Sequence, residues 1–168
     1  MEEILFKGKR VDNGEWVYGY LIPVGEKRYI ITVENLSREH DLICLIDSLR
    51  IYRVIPETVG QYTGLKDNNG TRIFKGDIIS FCYNIYEFIN CKATVKYGEY
   101  MQDGSSGEYG AAKCLGWFIQ IVSCTAEDWA KDLDIELPDY LLQNSLIDVV
   151  KSCKIIGNIY DNSDLLKK

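Results

Sequence analysis

Two Asn-Gly dipeptides, each set between short apolar runs, constrain this chain more than any other feature. Asn13-Gly14 joins residues 4–11 to residues 15–22, and Asn69-Gly70 joins residues 59–67 to residues 71–74. A two-residue hairpin turn of the favoured hand needs positive φ at both central positions, which Asn tolerates and Gly adopts freely. Two such turns within the first half of the chain predict antiparallel hairpins, not helices. In the second run Trp16, Tyr18, Tyr20 and Ile22 fall on one face by the period of two. Such a face reads first as core. Isolated Gly8 and Gly19 predict a bulge or a close backbone approach.

Further strands are expected over residues 28–33, 42–46, 49–55, 76–81, 92–97, 115–122 and 153–160. Gly76-Asp77 before an apolar run is a strand entry. There the glycine permits the turn and the carboxylate satisfies backbone donors. Residues 101–113, rich in Gly and Ser, read as a loop. One helix is expected from Thr125, with Ala126, Trp129, Ala130 and Leu133 at helical spacing, ending before Pro138. Residues 141–150 fit either a second short helix or the start of a strand. Many short strands between turn signals make the chain mainly β.

Chemistry-bearing motifs are sparse. His40 is the one histidine, in a run of charged neighbours, so it reads as a solvated loop residue and multi-histidine metal sites are excluded within one chain. The six cysteines contain no C-x-x-C pair, which removes zinc ribbons and thioredoxin-type sites. They read as buried, reduced thiols. Gly104-Ser105-Ser106-Gly107 lacks the Gly-Lys-Ser/Thr of a phosphate-binding loop. Asp77 with Asp103 or Glu99 is the one carboxylate pairing an enzyme could use, and a turn-stabilising Asp77 fits better. No catalytic residue, metal or cofactor is assigned. No apolar run approaches the ~20 residues of a membrane span, and Met-Glu-Glu at the start lacks the layout of a signal peptide. A cytoplasmic protein is expected.

Three stretches together carry a resemblance. They are residues 6–19, residues 56–79 with Gly60-Gln61-Tyr62-Thr63-Gly64 and Phe74-Lys75-Gly76-Asp77, and residues 155–166 with Ile156-Gly157-Asn158-Ile159-Tyr160. In that order and spacing the chain resembles the YopX family of phage and prophage proteins, nearly end to end. The resemblance implies a small N-terminal β region (1–55) followed by an SH3-like β-barrel (56–168). It also implies a phage or prophage origin in a bacterial host cytoplasm. Residues 125–150 look like a longer helical insertion before the last strand than the family usually has. The resemblance carries over no catalytic or binding residue.

Candidate binding residues come from charge and aromatic content. Lys7, Lys9 and Arg10 cluster near the first turn, Arg72 and Lys75 near the second, and Tyr62 is one of several tyrosines (with Tyr83, Tyr86, Tyr97 and Tyr100) in the expected barrel. Glu127, Asp128 and Asp132 belong to an acidic stretch over residues 126–139, where six acids against Lys131 give −5 of the chain's net −6. The rest of the chain is therefore close to neutral. A non-enzymatic interaction or self-assembling module is the expected function, with protein or self as partner. Nucleic acid is the alternative partner, for a role in phage replication or regulation, and a small-molecule enzyme comes last.

Overall fold

The computed structural model describes residues 4–33, 46, 48–82, 90–102, 112–125 and 143–167. His40, the expected strand at 42–46 apart from Ile46, Tyr83, Tyr86, the Gly/Ser loop with Asp103, and the expected helix beyond Thr125 with Glu127, Asp128 and Asp132 lie outside those residues. Two compact units divide the chain, Met1–Gly64 and Leu65–Lys168.

The first unit holds β1 (Phe6–Lys9), β2 (Trp16–Val24), β3 (Lys27–Val33) and β4 (Leu49–Val54), in the spatial order β4-β3-β2-β1, with β5 (Gly60–Lys66) beside β1. The expected hairpin closes at Asn13-Gly14. Gly14 takes φ +74° and the Arg10 amide donates to the Glu15 carbonyl at 2.9 Å. Ahead of this turn the chain leaving β1 runs alongside β4, where Val11 donates to Arg53 at 3.0 Å and Ile55 to Lys9 at 2.8 Å. The sheet therefore curls around Ile30 and Val54, both essentially inaccessible to solvent.

The two isolated glycines of this unit serve close approach and not bulges, since the β1–β2 register runs unbroken from Phe6↔Gly19 to Lys9↔Trp16. A Cβ on Gly8 would sit 3.0 Å from Val54 Cβ, and one on Gly19 would collide with the carbonyl oxygen of Ile31.

The second unit contains β6 (Arg72–Phe74), β7 (Asp77–Cys82), β8 (Asn90–Gln102), β9 (Ala112–Cys124), β10 (Gln143–Ser145), a one-turn helix α1 (Leu146–Val149) and β11 (Lys154–Asn158). Its sheet runs β10-β9-β8-β7-β11, with every neighbouring pair antiparallel. Alternate positions of three strands supply the core: Ile79 and Phe81, then Ala93 and Val95, then Ile119 and Ile121, capped by Leu146 and Cys153. Fully burying an Ile or Leu side chain stabilises by about 1.5–3 kcal/mol, so this cluster dominates the unit's stability.

Two expectations change, and one open alternative is resolved. The protein is mainly β, but its strands form two antiparallel sheets that are not closed into an SH3-like barrel: β8 and β9, 13 residues each, pair along nearly their whole length as a long ribbon, and β10 and β11 are left as opposite edges. Residues 146–149 form a helix, and β10 precedes it unforeseen. The cysteines are not all reduced. Cys91 and Cys124 face each other across β8 and β9, Cα atoms 4.1 Å apart, and form a disulfide. Nothing local marks a pair 33 residues apart. Cys82, Cys114 and Cys153 are free thiols.

Candidate functional site

Directly paired residues of antiparallel strands point to the same face, so the register of the first unit assigns its side chains. Lys7 pairs with Tyr18 and Lys9 with Trp16; Tyr20 pairs with Ile31, Ile22 with Tyr29 and Val24 with Lys27; Ile31 pairs with Ile51 and Tyr29 with Arg53. These residues share the outer face, opposite Gly8, Gly19, Ile30 and Val54.

That face is exposed. Tyr18 is 51% and Tyr20 57% accessible, and Ile51 63%. Ile22, Val24 and Val33 are exposed with them. The expectation that Tyr18 and Tyr20 belong to the core is thus overturned. The inner face has to approach β3 so closely that only glycine fits at position 19, and the tyrosines occupy the other side of the strand. Trp16 is half-buried.

Cations flank these aromatics. The Lys7 ammonium lies 4.9 Å from the Trp16 ring centroid and that of Lys9 5.8 Å, within the range of cation–π attraction. Lys7 is buried, whereas Lys9 is half-exposed. At the other end an open groove of about 630 Å³ is lined by Val24, Lys27, Tyr29, Arg53 and Ile55, with Glu26 of the β2–β3 turn also at its edge. Strands β1–β4 carry Lys7, Lys9, Lys27, Arg28, Arg50 and Arg53 and no Asp or Glu. Among the described residues the acids of this unit, Asp12, Glu15, Glu26 and Glu57, lie outside the strands.

Arg10 stands apart from Lys7 and Lys9. Its guanidinium takes Asp12 in a two-point contact, 2.9 Å from Nε and 2.5 Å from Nη2, with Glu15 at 3.6 Å, and it lies 4.4 Å from the Tyr52 ring centroid. The Asp12 hydrogen bond raises the Arg10 pKa, and the same bond lowers that of Asp12. Tyr62 is half-buried on β5, its amide donating to Leu5 at 2.7 Å.

Arg72 and Lys75 belong to the second unit, where both are exposed. Lys75 edges an open groove of about 660 Å³ lined also by Lys96, Tyr97, Phe118, Tyr160 and Leu166. Tyr97 meets Trp117 edge-on at 4.9 Å and Tyr100 stacks on Phe118 at 5.2 Å. Of the carboxylates an enzyme could use, Asp77 is buried and accepts the Phe74 amide at 2.8 Å, the strand-entry role expected of it, with Gly76 at φ +87°. Glu99 is exposed and ion-paired with Lys113 at 2.6 Å. No group of three His, Cys, Asp or Glu residues gathers among the described residues in a way that could hold a metal ion. No helix among them is long and apolar enough to cross a membrane.

Comparison with known proteins supplies a family. The model of the YopX protein family matches residues 5–167. No curated protein matches the chain. Among solved structures, protein EF1440 from Enterococcus faecalis is similar at 18% identity and a TM-score of 0.43, with 99% of this chain and 100% of that chain covered.

Proposed function

This chain belongs to the YopX family, and on that footing we propose that it is a non-enzymatic binding protein that holds a macromolecular partner on the outer face of its first sheet. One observation carries the reading: Tyr18, Tyr20, Ile22 and Val24 stand exposed in sequence along a single strand, with Ile51 exposed on the same face. Contiguous exposed apolar surface of this kind marks an interaction site more often than chance. Tyrosine suits such a surface because it offers a large rigid contact and a polar tip at small entropic cost. The face is open, a shape that fits an extended partner better than a small molecule. The phage or prophage setting and the host cytoplasm implied by the resemblance belong to this same reading.

The test compares the full chain with a Tyr20→Ser/Ile51→Ser variant. Both residues are exposed, so the far-UV circular dichroism spectrum is expected to be unchanged. Sedimentation velocity reads self-association, and capture from a bacterial lysate with identification of what is held reads other partners. Loss of association in the variant supports the face as the contact surface. Equal behaviour of the two proteins in both assays overturns it.

A further inference from the structure

Resting on that reading, we infer that the partner on the outer face is single-stranded nucleic acid, with bases stacked on Tyr18 and Tyr20 and phosphates met by Lys9, Lys27 and Arg53. Three features of the face converge on this chemistry.

The first is the placement of the tyrosines. Tyr18 and Tyr20 lie on β2, which has β1 on one side and β3 on the other. Same-face neighbours along a strand repeat at about 6.8 Å, so the two rings form consecutive steps of a platform. Gly19 between them faces inward, where it lets β2 lie against β3. Alternating aromatics on an inner strand of an open sheet are how several single-strand-binding domains hold successive unpaired bases.

The second feature is charge. The charged residues that the register places on this face, Lys7, Lys9, Lys27 and Arg53, are all lysine or arginine. A second copy of this chain, applied by the same face, would bring cations against cations with no strand-borne carboxylate to meet them, and like charges juxtaposed at an interface are unfavourable. A phosphate backbone supplies the complementary sign along its whole length. The cations also sit at both ends of the aromatic row, Lys9 beside Trp16 and Lys27 with Arg53 at the groove beyond Val24, where two cations outnumber the one acid, Glu26.

The third is that bases in a duplex already stack on one another and are not free to lie on tyrosine rings, which selects single strands. The overall charge of −6 does not oppose this, because the described acids of the first unit lie off its strands.

The experiment uses fluorescence anisotropy of labelled oligothymidylate and oligouridylate of about 15 nucleotides, a length within single-strand site sizes, with a duplex of the same length as comparison. The expected result is tighter binding of single strands than of duplex. Three phosphate contacts should make affinity fall roughly twentyfold for a fourfold rise in salt. Tyr18→Ala and Tyr20→Ala should each weaken binding roughly five- to hundredfold, while Tyr20→Phe retains it, and Lys27→Gln should flatten the salt dependence. The DNA and RNA arms tell which strand is preferred. No binding of either single strand at low salt, duplex bound as well as single strands, or binding indifferent to a Tyr18→Ala/Tyr20→Ala pair overturns the inference. If the oligonucleotides fail while Tyr20→Ser/Ile51→Ser still abolishes a protein contact, the inference falls and the binding face stands. If neither responds, both fall.

Discussion

The carboxylate of Asp67 accepts the backbone amide of Ile155 at 3.1 Å, across 88 residues of chain. Its other oxygen accepts the amides of Thr71 at 2.8 Å and Asn69 at 2.9 Å inside the Asn69-Gly70 turn. One buried side chain thus shapes a hairpin turn and fastens the last strand to it. Beside it, the Asn68 amide donates to the Cys153 carbonyl at 3.0 Å.

Replacing Asp67 by Asn leaves an NH₂ where an acceptor is needed. One of the three amides then faces a donor, at a cost of about 1–3 kcal/mol. Asp67→Ala removes all three bonds and should cost more. Urea unfolding followed by circular dichroism reads both, and an unchanged midpoint for either would contradict this role.

The same carboxylate makes stability pH-dependent. Burial works to raise its pKa, but the amides of Ile155, Thr71 and Asn69 outweigh that and hold it below the usual carboxylate value. The folded state therefore binds this proton less readily than the unfolded chain. The stabilisation is complete above the unfolded pKa of about 3.9 and disappears as pH falls through the lower folded value. The difference in midpoint between wild type and Asp67→Asn should be constant above about pH 5 and shrink in acid. A difference that widens in acid would show the sign to be wrong.

Gly14 and Gly19 should respond differently to alanine. Gly14 sits at φ +74° with open space around it, so Gly14→Ala should cost about 1–2 kcal/mol of backbone strain. At Gly19 the added carbon meets the Ile31 carbonyl, and strands β2 and β3 must separate. That is overpacking against main chain, with an expected loss of about 3 kcal/mol or more. Thermal unfolding of the two variants side by side gives the ranking, and equal losses would contradict it.

Thiol counting tests the Cys91–Cys124 disulfide. Among the described cysteines two are joined and three are free, so Ellman titration in denaturant should find two more thiols after reduction than before. Closing a loop of this length constrains the unfolded chain by about 3–4 kcal/mol, so a reductant should lower stability by that order. Of the three described free thiols, Cys153 should react last in the native protein. Burial, with the nearby Asp67 charge, pushes its thiol up to about 11, and little thiolate is present at neutral pH. Cys153 reacting as fast as half-exposed Cys114 would refute this.

What could be read from the sequence was local. The two Asn-Gly turns, the Gly76-Asp77 strand entry and the close approach at Gly8 and Gly19 each depend on the backbone needs of a few adjacent residues. Alternation also grouped Trp16, Tyr18, Tyr20 and Ile22 correctly. It did not say which face was covered, because period two is symmetric between inside and outside. Gly19 held the missing sign: a glycine forced by close approach faces inward, so its neighbours face out. The Asp67–Ile155 bond, the disulfide and the unclosed sheets depend on partners far along the chain, which no local pattern encodes. The summed charge is uninformative for a related reason, since it averages turns with strands and conceals that the strands β1–β4 carry cations alone.

The Asp67–Ile155 bond also sets an order of events at the ribosome. Asp67 emerges with its turn and can form two of its three bonds at once, but the third donor is translated 88 residues later. Until β11 arrives, one oxygen of this carboxylate has only water to turn to, and the hairpin that holds it stays open to solvent. The second unit is therefore expected to lock only when β11 has emerged. A nascent chain stalled before Ile155 should be open to protease there, and one stalled beyond β11 should not.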